Sequence, residues 1–266
     1  MKIKHYLLSV SLVTVATLSA RAVTVDGTLD SAYGSALAVQ TVATAWGSGT
    51  AATGGNQLDA GYGLIQGGNL NLFFAGNTSD GNHLQVFLSD GRTGQSTLNA
   101  AGGLAQNGSV FSPGFSATYA IDVNTYQGTI YANLYDLVAN TGGYAGSASD
   151  AGGTIGGVMV AVDNSSVAGT GSNTGAGALA VNTGWEFSIP LSYLGNSGSV
   201  SVLADISNNS LSNQLLPADG TVSGNTFNYG STPGQYFTVA VVPEPSTMAL
   251  GAVSGLAMLF MIRRRR

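Results

Sequence analysis

The chain has 266 residues, 44% of them hydrophobic and only 8% charged, with 39 Gly and no Cys. The lack of cysteine excludes disulfides, thiolate metal sites and a cysteine nucleophile. Seven of the eight basic residues lie near the ends (Lys2, Lys4, Arg21, Arg263, Arg264, Arg265 and Arg266), so residues 23–242 set Arg92 alone against twelve Asp and Glu. That net charge of −11 repels a polyanion and argues against nucleic acid as a partner.

At the start, Lys2 and Lys4 precede a largely apolar stretch, 7–18, and Ala20 and Ala22 place small residues at the −3 and −1 positions of a cut before Val23. About a dozen apolar residues fall short of the roughly 20 that a membrane helix needs. Residues 1–22 are therefore expected to be a cleavable secretory signal peptide.

Residues 23–242 have the composition of one all-β domain: short β-branched or aromatic runs, bounded by Gly, Asn, Asp or Ser, with no long amphipathic helix and no repeat. The runs 70–75, 84–89, 117–123, 128–135, 158–162, 184–189, 200–206 and 235–241 read as strands. Leu84, Val86 and Leu88 alternate with Gln85, Phe87 and Ser89, the period of a sheet with one buried face. These features predict a two-sheet antiparallel β-sandwich, with a parallel β-helix as the alternative.

Few residues carry chemistry. Beyond the signal peptide His83 is the one histidine, beside Asp80-Gly81-Asn82, and is expected to be a solvated loop residue. Glu186, Asp205 and Asp122 are the carboxylates a glycan hydrolase would need, but their separation in space is not readable from sequence, and turn Asp is the commoner reading. Asp26, Asp30, Asp122, Asn124 and Asp205 are hard oxygen donors without EF-hand spacing. No cofactor and no metal residue is therefore assigned, with a structural calcium as the alternative. Trp185, Phe187 and Ile189 should share the core face of one strand. Trp46, among small residues in Ala45-Trp46-Gly47-Ser48-Gly49, is the candidate for stacking on a sugar ring.

Three short motifs occur in order, Val25-Asp26-Gly27-Thr28-Leu29-Asp30, then Leu70-Asn71-Leu72-Phe73-Phe74, then Trp185-Glu186-Phe187-Ser188-Ile189-Pro190-Leu191, with Ser212-Asn213-Gln214 and Leu216-Pro217 after them. On these residues the stretch 23–241 is similar to family 9 carbohydrate-binding modules and DOMON-like β-sandwiches, which implies a sandwich that binds polysaccharide.

At the other end Pro243, Glu244 and Pro245 precede the uncharged residues 246–262 and then Arg263, Arg264, Arg265 and Arg266. As a helix the uncharged stretch spans roughly 25 Å, enough for a thinned bilayer, with the arginines cytoplasmic. The prolines keep the chain ahead of it extended and open to a protease. This arrangement resembles the PEP-CTERM sorting signal, which implies an exosortase-type processing enzyme, an inner-membrane precursor, and delivery to the cell surface or extracellular matrix of a Gram-negative type of bacterium.

The sequence is thus expected to divide into a signal peptide (1–22), a β-sandwich (23–242) and a sorting tail with a transmembrane helix (243–266). The expected function is that of a non-enzymatic, exported protein contacting exopolysaccharide. A purely structural or adhesive matrix protein is one alternative and a carboxylate-dependent glycan hydrolase the other.

Overall fold

A computed structural model describes residues 22–44, 56–165, 174–208, 210–217, 221–230 and 232–241. The expected signal helix and tail helix, with Ala20, Trp46, Pro243, Glu244, Pro245 and the four arginines, lie outside the described residues. Among the described residues no helix is long and apolar enough to cross a membrane.

The architecture is the expected antiparallel β-sandwich. One sheet has the order β1 (Ala38–Val39), β2 (Gln57–Gln66), β3 (Asn69–Asn77), β10 (Gly184–Pro190), β9 (Val158–Val162) and β8 (Gly153–Ile155). The second runs β12 (Leu211–Leu216), β11 (Ser199–Ser207), β4 (His83–Ser89), β5 (Tyr119–Tyr126), β6 (Thr129–Asp136) and β7 (Thr141–Ser149), with β15 (Phe237–Ala240) beside the first half of β11. A hairpin of β13 (Thr221–Ser223) and β14 (Thr226–Asn228), one short α-helix, α1 (Ala176–Leu179), and 3-10 turns at Ser31–Tyr33 and Leu191–Leu194 complete the regular elements among the described residues.

Turn chemistry fixes the registers. The β2–β3 hairpin turns on Gly67 and Gly68, both at positive φ, and the β5–β6 hairpin on Gln127 at φ 50° and Gly128 at φ 75°. Two consecutive left-handed residues form the turn whose twist matches that of the strands it joins.

The core between the sheets is built by alternation. Leu70, Leu72 and Phe74 of β3 and Trp185, Phe187 and Ile189 of β10 face Leu84, Val86 and Leu88 of β4 and Val200, Val202, Ala204 and Ile206 of β11. Trp185, Phe187 and Ile189 are buried together, as their spacing requires. The Trp185 ring stacks on Phe187 at 6.2 Å between centroids, and its Nε1 donates to Thr78 Oγ1 at 3.1 Å.

Two expectations need correction. Strand β4 is buried on both faces, because residues of the stretch 91–118 and of β14 lie over the outer face of the second sheet: Phe87 packs edge-on against Phe111 at 5.2 Å and Phe227 at 5.8 Å. Several strands are also invisible to period and propensity, β2 and β7 above all, because Gly61, Gly63, Gly142, Gly143 and Gly146 read as turn residues. In β2 the glycines instead let the sheets approach. A Cβ on Gly63 would lie 2.3 Å from Val239 Cγ2, and one on Gly61 would lie 3.0 Å from Leu216 and Phe237.

Replacing Trp185 by Ala removes a fully enclosed indole and strands the Thr78 hydroxyl. Denaturant titration should show a loss of about 3–5 kcal/mol; an unchanged midpoint and slope would refute the core role of this ring.

Candidate functional site

The outer face of the second sheet is covered only in part. The half that carries Leu203, Phe87, Ala120 and Tyr135 lies under the 91–118 segment, whereas beyond Asp122 and Asn133, toward the other end of β5, β6 and β7, it opens to solvent. There the register sets three tyrosines on one face. Tyr126 lies two residues beyond Asn124, Asn124 pairs with Tyr131, and Tyr144 pairs with Asn133, two residues from Tyr131. Tyr131 is opposite in phase to the core residues Ile130 and Ala132, so all three rings point away from the core. They are exposed by 52% (Tyr126), 36% (Tyr131) and 66% (Tyr144), unusual for large rings in this molecule. Diagonal neighbours on adjacent strands stand about 7–8 Å apart, so the rings form a slanting row across three strands.

A polar row crosses the sheet beside them. Asp205, Gln85, Asp122 and Asn133 are successive cross-strand partners on β11, β4, β5 and β6. Asp122 accepts from His83 Nδ1 at 2.8 Å, Gln85 Nε2 at 2.7 Å and Asn133 Nδ2 at 3.0 Å. His83 is therefore not a loop residue: it opens β4, half-buried, and its hydrogen bond to Asp122 raises its pKa against the opposing effect of burial. The turn reading also fails for the carboxylates, since Asp122, Asp205 and Glu186 all sit within strands. Asp205 is fully enclosed, and burial, then the Asp122 charge, push its carboxyl well above the usual range.

Glu186 lies on the other sheet, facing away from the core beneath the N-terminal segment. Its Oε2 accepts from the backbone N–H of Asp26 at 3.0 Å and of Gly27 at 3.1 Å, and its Oε1 from the Tyr33 hydroxyl at 2.9 Å. The first and last of the three sequence motifs thus meet in space. Gly27, at φ 82°, has no room for a side chain, because a Cβ there would lie 2.4 Å from the Asp163 nitrogen.

The candidate oxygen donors divide between two places. Asp26 and Asp30 serve local backbone, accepting from Thr28 N–H at 2.9 Å and Thr24 N–H at 2.7 Å, while Asp122, Asn124 and Asp205 share the far sheet. Among the described residues no three His, Cys, Asp or Glu side chains gather into a metal cluster. Ala22 is exposed and precedes the first strand, outside any regular element. The tyrosine row escapes sequence reasoning because it depends on register across two hairpins; its one local signal is the alternation of Tyr131 and Asn133 with Ile130 and Ala132.

Burial has a consequence for pH. It raises the Glu186 carboxyl to about 7 in spite of its three donors, and it raises that of Asp59, whose carboxylate oxygens have no hydrogen-bond partner among the described residues, to about 7 as well. Both folded-state values exceed the unfolded ones, so the stability these groups confer is complete below about pH 4 and is lost as pH rises through 7, on the order of 3 kcal/mol for each. Asp90 acts in the opposite sense: against the effect of burial, its bonds to Arg92 lower its pKa, so its contribution is lost only in stronger acid. The melting temperature should therefore fall between pH 4.5 and pH 8. A Glu186→Gln, Asp59→Asn double variant should flatten that fall, and an unaltered slope would contradict the assignment.

Comparison with known proteins bears on the end of the chain. No curated protein and no solved structure matches it, so the likeness of residues 23–241 to carbohydrate-binding modules rests on the three motifs alone. Residues 241–266, with the proline-flanked glutamate, the uncharged stretch and the arginine run, match the family described as the PEP-CTERM protein-sorting motif. The chain thus carries a PEP-CTERM sorting motif, which indicates an exported, surface-directed protein and implies sorting by an exosortase.

Proposed function

We propose that the protein is made with a cleaved signal peptide, held in the inner membrane by residues 246–262, released by cleavage near Pro243-Glu244-Pro245, and displayed as a non-catalytic β-sandwich that binds a neutral exopolysaccharide across Tyr126, Tyr131 and Tyr144. The observation that carries the binding reading is the exposed tyrosine row on a sheet bordered by Asn124, Asn133 and Ser147. Flat rings stack on the apolar faces of pyranoses, and amide and hydroxyl groups beside them bond the sugar hydroxyls. A neutral glycan fits the charge. Arg92, the one arginine or lysine of residues 23–242, is held by Asp90 and by the Tyr193 carbonyl at 2.9 Å, so it is committed within the fold rather than available to a uronate or sulfate. Hydrolysis is disfavoured because Glu186 and Asp205, at 0% exposure, have no route to a glycosidic oxygen.

Binding of the protein to neutral and to anionic polysaccharides, measured by affinity electrophoresis, tests this reading. Retardation by a neutral polymer should weaken about tenfold when Tyr131 and Tyr144 are both changed to Ala, the equivalent of roughly 1.4 kcal/mol. If neither polymer class retards the protein, the purely structural matrix role replaces the binding one. For sorting, changing Pro243, Glu244 and Pro245 to Ala should trap full-length chain in the inner membrane, whereas surface material from the parent should lack Arg263 to Arg266 by mass spectrometry. A surface peptide ending at Arg266 would instead indicate a plain anchor.

A further inference from the structure

The covered part of the second sheet encloses oxygen acceptors that have no donor among the described residues. Both carboxylate oxygens of Asp205 lack a hydrogen-bond partner, as do Gln85 Oε1 and Gln106 Oε1, and the three residues are exposed by 0%, 2% and 0%. Asp205 and Gln85 are cross-strand partners with side chains on the same face. Gln106 comes down from the covering segment and donates its Nε2 to Ser207 Oγ at 3.0 Å, and Ser207 stands two residues beyond Asp205 on that face. Gln85 likewise turns its Nε2 outward to Asp122. Each glutamine uses its donor elsewhere and leaves its carbonyl oxygen without a donor, Gln85 as the cross-strand neighbour of Asp205 and Gln106 reaching the same strand through Ser207.

Buried acceptors left unpaired cost about 1–3 kcal/mol each, more for a charged group. Acceptors so enclosed need water or a cation beside them, and a metal ion is the partner that answers a carboxylate and two amide oxygens together. The donor set is entirely hard oxygen, without nitrogen or sulfur, which suits calcium and magnesium better than transition metals. Magnesium demands a tight octahedron and keeps several waters, which an enclosed pocket framed by Phe87, Leu203 and the covering segment does not favour; calcium accepts carboxylate and amide oxygens in flexible geometry. The pocket also lies in an exported domain of net charge −11.

We propose that Asp205, Gln85 and Gln106 bind a calcium ion that fastens the 91–118 segment onto the second sheet, with water supplying the remaining coordination positions. Asp205 supplies the charge, and the amide oxygens of Gln85 and Gln106 tie sheet and cover to the same ion. The site closes as the cover folds, so the ion enters during folding and exchanges slowly afterwards.

The test uses the full chain in detergent, unfolded in denaturant with EGTA and refolded in calcium, magnesium or sodium. Refolding in calcium should incorporate roughly one calcium per chain by elemental mass spectrometry and raise the melting temperature several degrees above the EGTA sample. Gln106→Leu, which keeps the carboxylate and the apolar packing, should bind calcium at least tenfold more weakly, and Asp205→Asn should neither bind calcium nor respond to it. Equal melting temperatures in calcium and EGTA without bound metal would overturn the proposal. So would full restoration by sodium, or an Asp205→Asn chain more stable than the parent at neutral pH, which would mean that a proton fills the pocket instead of the ion.

Discussion

Phe74 and Trp185 face each other across the β3–β10 pair, and much of the molecule follows from that register. It turns Trp185, Phe187 and Ile189 into the core and, by the strict alternation of a strand, turns Glu186 outward. There the carboxylate meets the Asp26 and Gly27 amides and the Tyr33 hydroxyl, tying down the segment that follows the expected signal cut. One residue of slip would put the indole outside and a carboxylate in the core, a change of many kcal/mol in the wrong direction. The pairing also links residues more than a hundred positions apart, so it joins the first third of the domain to its last third.

The sandwich is layered more deeply than two sheets require. Tyr33, Tyr62 and Phe73 form an apolar cluster outside the first sheet, and Phe111, Phe115 and Phe227 another outside the second. With few charges to keep an outer sheet face soluble, and with no disulfide, the chain gains stability by burying those faces too. Where the second cover stops, beyond Asp122 and Asn133 on β5 and β6, the sheet carries tyrosine, asparagine and serine instead of leucine and phenylalanine. On β5 and β6 the boundary between covered and open sheet falls at Asp122 and Asn133, the end of the polar row that begins at Asp205.

How much of this is legible in the sequence depends on whether a residue's neighbours lie along the chain or across it. Leu84, Val86 and Leu88 announce a core face by themselves, and so do Trp185, Phe187 and Ile189. Strand β2 does not, because its Gly61 and Gly63 answer to Val239, Leu216 and Phe237 of the opposite sheet, which local propensity does not register. His83, Asp122 and Asp205 look like loop and turn residues for the same reason: each owes its role to a partner on another strand or to the covering segment. The sorting tail is legible throughout, since its signal is linear, with proline, charge and apolar length in fixed order.

The hold of Asp90 on Arg92 also bears on how copies of the domain stand beside one another. With its only guanidinium turned to internal use, the domain presents to its surroundings a field of almost uniform negative sign. At physiological ionic strength that field decays over about 8 Å, and in dilute media several times farther. Crowded on one surface, neighbouring copies would repel laterally, so the salt of the surroundings would set how densely such a layer packs.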